Sequence, residues 1–122
     1  MLQEVHNDIC ARLSYGVIVH TELGDGHLCE INQTIFGNKY GVNVEPTKRE
    51  TFTEVIPYLR PMDSMTLEEY DELMDIPNIA LYKDGKTITN GREVDWLNKK
   101  MFDYRGLIPM GLALPAKEGM YN

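Results

Sequence analysis

Turn-forming residues recur so closely along this chain that no secondary-structure element can run much beyond about a dozen residues. Gly24-Asp25-Gly26, Pro57 with Pro61, Pro77, Asp84-Gly85 and Gly106 punctuate it throughout. Glycine supplies backbone conformations other residues avoid, and proline removes a donor and fixes φ, so each of these points ends or bends an element. A core must therefore be assembled from short strands and short helices. At 122 residues, with 43% hydrophobic and 25% charged side chains, there is enough apolar material for one domain without metals or disulfides. No repeat, low-complexity tract or Gly/Ser linker divides residues 1–122, which predicts a single domain.

Periodicity places the elements. Leu2, Val5, Ile9 and Leu13 recur at helical spacing, with Cys10 on the border of the stripe. Residues 15–23 and 27–33 flank the Gly24-Asp25-Gly26 turn as a β-hairpin. A three-residue loop pairs Leu23 with His27 and Val19 with Ile31, which puts Cys29 and Val19 on the buried face and His20 and Glu30 on the other. Residues 39–45 predict a third strand and 50–59 a fourth, stiffened by prolines. Thr66-Leu67-Glu68-Glu69 has the form of a capping box, followed by Leu67, Tyr70 and Met74 at helical spacing. Asp84-Gly85 predicts a second hairpin, and Asn90 caps a helix over 92–105 whose stripe is Val94, Leu97, Met101 and Tyr104, stopped by Gly106. Residues 107–114 are apolar enough to lie on the core before the last few fray. The fold class that follows is α+β: a small antiparallel, barrel-like sheet with short flanking helices.

Charge narrows the partners. The net charge is −7, and residues 1–75 hold 14 acids against 5 bases, which disfavours nucleic acid as a ligand. No run approaches the length of a membrane span, and the start of the chain lacks a basic region followed by an apolar block, so a cytoplasmic protein is expected. Cys10 and Cys29 sit among apolar neighbours, which predicts reduced, buried thiols. Oligomeric state does not follow from composition.

Few residues carry chemistry. His20, His27 and Cys29 are zinc-ligand types, but the predicted register separates His20 from the other two and places no fourth ligand. Buried thiols are inert, so neither cysteine is expected to act as a nucleophile. Asp63, Glu68, Glu69, Asp71, Glu72 and Asp75 form a solvated acidic face, without the glycine and terminal glutamate of a calcium loop. No phosphate-binding loop, nucleophile elbow or dinucleotide fingerprint is present, and no cofactor is expected.

Pro57-Tyr-Leu-Arg-Pro-Met62 with Ser64-Met-Thr66, and Trp96-Leu-Asn98 followed by Phe102-Asp-Tyr-Arg-Gly-Leu-Ile108 and Glu118-Gly-Met-Tyr121, are distinctive segments. Through them the chain resembles a family of uncharacterised proteins from anaerobic gut bacteria and their prophages or mobile elements. The resemblance implies an origin and no activity. Relatives often carry histidines where this chain has Lys100 and Met101, so no proton-transfer or metal role on that helix is implied.

The predicted stripe of the 92–105 helix leaves Arg92, Trp96, Lys99, Lys100 and Asp103 together on its other side. Aromatic and arginine groupings of this kind are enriched at binding hot spots, which makes them the candidate partner-binding residues. Arg60 and Asp103 would form a bidentate ion pair if their segments meet. The expected function is a non-enzymatic accessory or protein-interaction protein of phage or mobile-element origin. The alternatives are an acidic mimic that binds a basic host protein and an enzyme whose site is assembled from scattered residues.

Overall fold

In a computed structural model of the chain, residues 2–31, 40–46, 49, 51–75 and 91–121 are described. The hairpin expected around Asp84-Gly85 and the Asn90 cap lie outside them. Helix α1 (Leu2–Arg12) runs through a 3-10 turn (Leu13–Tyr15) into the strands β1 (Ile18–Thr21), β2 (Gly24–Ile31), β3 (Tyr40–Glu45), β4 (Thr51–Phe52) and β5 (Val55–Leu59). A 3-10 turn (Met62–Ser64), α2 (Leu67–Met74), α3 (Gly91–Lys99) and a short β6 (Leu114–Pro115) complete the order.

The strands form one sheet in the order β4-β3-β2-β1-β5-β6, antiparallel except for the β5–β6 pair. This is the expected α+β class. The barrel-like closure is corrected: the sheet is open, with β4 at one edge and β6 at the other.

One face of the sheet carries the core. Val17, Val19, Leu28, Val42, Val44, Phe52, Val55 and Leu59 are buried there, covered by Val5 and Ile9 of α1 and by Met101, Leu107, Leu112 and Ala113. Burying each such side chain contributes about 1.5–3 kcal/mol before chain entropy is set against it. The stripe on α1 is therefore as expected at Val5 and Ile9. The same helix also buries Asp8 and Arg12, an i,i+4 ion pair 3.0 Å apart. Arg12 donates to the Phe102 carbonyl at 2.7 Å and Arg105 reaches Asp8 at 2.5 Å, so charges inside the core pair with one another.

The hairpin register is corrected. Thr21 pairs with Gly24, so the turn is the two residues Glu22 and Leu23, and Val19 faces Gly26 rather than Ile31. That displacement is odd in residue number, so the β2 side chains up to Cys29 move to the other face, while a bulge between Leu28 and Glu30 returns Ile31 to the core side, where it was expected. Leu28 enters the core and Cys29 faces solvent. Two local contacts select this turn: the Thr21 hydroxyl donates to the Gly24 carbonyl at 2.8 Å and accepts the Leu23 N–H at 3.1 Å, and Gly24 takes a φ of 115°. Gly26 is then inside a strand because β3 crosses it closely, and a Cβ there would collide with the Glu45 carbonyl and the Val44 side chain.

The tail is also corrected, because the chain does not fray after residue 114. The Tyr121 hydroxyl accepts the Ile18 N–H at 2.9 Å and donates to the Tyr58 carbonyl at 2.7 Å, joining β1 to β5.

Candidate protein-interaction surface

The site is built where β5 ends. Arg60 bridges Phe102 in parallel, its N–H donating to the Met101 carbonyl at 2.7 Å and its carbonyl accepting the Asp103 N–H at 2.9 Å. The segments of Arg60 and Asp103 therefore meet, but through backbone rather than the expected side-chain pair. Arg60 instead forks onto Glu69 of α2, with both bonds at 2.6 Å, and lays its guanidinium 4.2 Å from the centre of the Phe102 ring.

Helix α3 stops at Lys99, well before Gly106, which corrects the expected 92–105 span. Phe102 N–H donates to Leu97 O at 2.9 Å and Met101 N–H to Asn98 O at 3.1 Å, with Met101 in the left-handed region at φ 64°. This is a Schellman ending with methionine in the position glycine usually takes. The buried Met101 and Phe102 side chains hold it, because the turn puts both into the interior. After the turn Asp103 is 6% exposed, and its carboxylate accepts Leu107 N–H at 2.8 Å and Ile108 N–H at 2.9 Å. Asp103 is thus a buried cap and not a member of the partner face, because the helix that would have carried it there has already ended.

Trp96 is half-buried. Its ring stacks on Phe102 with centroids 5.8 Å apart and planes 15° apart, and Nε1 donates to Glu72 of α2 at 2.9 Å. Lys100 sits 5.9 Å from the indole centre and 3.8 Å from Glu72. The indole is a brace between α3 and α2, with Lys99 and Lys100 beside it at the helix end. Arg92 belongs to α3, but its side chain lies outside the described residues.

These contacts fix α2 in an unusual sense. The capping box forms as expected: Thr66 Oγ1 accepts Glu69 N–H and the Glu69 carboxylate accepts Thr66 N–H, each at 3.1 Å. The two hydrogen bonds from Arg60, aided by Thr66, outweigh burial and bring the Glu69 carboxyl down to about 2. At about 100° per residue, Glu69, Glu72 and Leu73 share the face turned to the body. Leu67, Tyr70 and Met74 fall within about 60° of one another on the opposite face. The stripe read from the spacing is therefore real, and it faces solvent: Leu67 is 83%, Tyr70 50% and Met74 43% exposed, while Leu73 is 2% exposed. The exposed acids Glu68, Asp71 and Asp75 flank that stripe.

Elsewhere, His20 Nδ1 meets Asp25 at 2.8 Å, and Tyr58 donates to the same carboxylate at 3.0 Å while Lys117 approaches to 3.6 Å. The His20 hydrogen bond lowers the Asp25 carboxyl, and burial raises the Tyr58 hydroxyl. This cluster ties the hairpin to the tail on the open face of the sheet. His27 faces Glu45 across the β2–β3 pair. Among the described residues no three His, Cys, Asp or Glu side chains are arranged to hold a metal ion.

Both cysteines are exposed, which corrects their expected core positions: Cys29 by the register change, and Cys10 by lying across α1 from the buried stripe, 3.5 Å from His6. Partial burial still raises the Cys10 thiol. Among the described residues no helix is long and apolar enough to cross a membrane.

No family model, curated protein or solved structure matches this chain, so its own geometry carries the functional reading.

Proposed function

We propose that the protein is a non-enzymatic interaction module, an accessory protein of the phage or mobile-element kind that the family resemblance implies. One observation carries this reading: α2 is mounted with carboxylates toward the body and Leu67, Tyr70 and Met74 toward solvent. A helix that only stabilised the fold would bury that stripe, because leaving three large apolar side chains in water forfeits several kcal/mol. Anchors at i, i+3 and i+7 match the way an amphipathic helix enters an apolar groove. The flanking acids define the chemistry of the partner: a protein groove that is apolar along its floor and carries lysine or arginine on its rim. This merges the interaction reading with the acidic-mimic reading, since the same helix supplies both features.

The test is affinity capture by the wild type, by Leu67→Glu with Tyr70→Glu, and by Leu23→Glu, whose site is also exposed but lies on the β1–β2 turn. A protein retained by the wild type and Leu23→Glu, lost from the α2 variant, and released as salt rises from about 50 to about 500 mM supports the reading. Retention by the α2 variant at wild-type levels refutes it.

A further inference from the structure

A cleft of about 340 Å³ opens beside the α2–α3 junction, lined by Arg60, Glu69, Lys99, Lys100, Ala116 and Tyr121. It gathers three cations against one carboxylate in a molecule whose net charge is −7. We infer that this cleft binds a small multivalent oxyanion, one bearing clustered phosphate or carboxylate groups, at a site independent of the apolar face of α2.

The charges are available to a ligand to different degrees. Arg60 spends two of its guanidinium's five N–H groups on Glu69, and the others remain as donors. Lys100 meets Glu72 only at 3.8 Å, a loose contact on a carboxylate that is itself half exposed. Lys99 is exposed and has no ion pair among the described residues. Both lysines stand at the C-terminus of α3, where the helix dipole attracts them, but that attraction is worth only about 0.3–1 kcal/mol and leaves most of their charge unanswered. The wall at Ala116 is fixed, because its N–H donates to the Leu59 carbonyl at 2.7 Å, and Tyr121 is pinned by its hydroxyl. The cleft thus offers these cations a preformed wall to one side, and a polar lining of this kind selects a charged ligand over an apolar one. An ion with two or more negative groups can engage Lys99, Lys100 and Arg60 together, which chloride cannot.

Trp96 is the single tryptophan and touches both Lys100 and Glu72, so its fluorescence reports on the cleft. Inorganic pyrophosphate and citrate are titrated into the full chain at constant ionic strength, with sodium chloride as the control. The expected result is a saturable change with at least one of the two, the tighter of them naming the source of the charge, and an affinity at least tenfold weaker in Lys99→Glu. Lys117→Glu, which changes an exposed lysine outside the cleft, should bind as the wild type does. A change no larger than that with chloride, an unaltered affinity in Lys99→Glu, or an equal loss in Lys117→Glu overturns the proposal. Because the α2 variant Leu67→Glu with Tyr70→Glu leaves the cleft lining intact, it should retain the anion even where it has lost a protein partner.

Discussion

Glu22 and Glu69 are both held at about 2, and for each the cause is a hydrogen-bonded carboxylate. For Glu22 burial acts to raise the value, and the Thr53 hydroxyl, Thr53 N–H and Glu54 N–H together outweigh it. A folded value below the unfolded one of about 4.5 means the carboxylate stabilises the fold fully above that pH and loses its contribution as pH falls toward about 2. Unfolding free energy should therefore decline between about pH 4.5 and pH 2, by about 1–2 kcal/mol per group after solvent screening. Glu69→Gln should lower stability by that amount at pH 7 and flatten the decline; urea titrations across the range check it, and an unchanged slope would refute the assignment. Gly26→Ala is the sharper test at this scale. The added Cβ meets backbone, which cannot swing away as a side chain can, so a loss of at least about 2 kcal/mol is expected in the same titration. The role of Gly26 was in principle legible, since a glycine inside an alternating run marks close backbone approach. Its neighbours Gly24 and Asp25 drew it into a turn instead, and the β2 face from Gly26 to Cys29 went with it.

The elements show how far local pattern reaches. The box Thr66-x-x-Glu69 is a local device, complete within one helical turn, and it forms as its spacing requires. The stripe Leu67, Tyr70 and Met74 is also a local pattern, but periodicity states only that three residues share a face and says nothing of which way that face turns. Orientation came from partners outside the helix, Arg60 at the end of β5 and Trp96 on α3, which capture Glu69 and Glu72. The end of α3 was hidden for a similar reason. Met101 adopts a glycine-like φ because its side chain and that of Phe102 are buried, and a non-glycine at that position carries no sequence mark. If α2 is mounted as described, Leu73→Ala should cost about 2–4 kcal/mol in chemical denaturation, whereas Leu67→Ala should stay within about 0.5 kcal/mol. Similar losses for both would mean that Leu67 is packed. Thr66→Ala removes one cap bond and should cost about 1 kcal/mol.

Over the whole molecule, the first and last segments are joined through the interior. Asp8 and Arg12 of α1 reach Arg105 and the Phe102 carbonyl, while Tyr121 spans β1 and β5 from the other end of the chain. None of these pairs has a local signature, which is why the tail was expected to end loosely. Burial pushes the Tyr121 hydroxyl up to about 12, so it remains a neutral donor across the ordinary pH range. Its position explains its value. Pro57, which faces Val19 across the β1–β5 pair, has no N–H to give, and the hydroxyl supplies bonds to Ile18 N–H and Tyr58 O beside that gap. Tyr121→Phe keeps the ring but orphans both backbone groups. A loss of about 1–3 kcal/mol is expected, with faster amide exchange at Ile18 as the local mark. If the variant is as stable as the wild type and Ile18 exchanges no faster, the tail is an ornament on the sheet and not one of its supports.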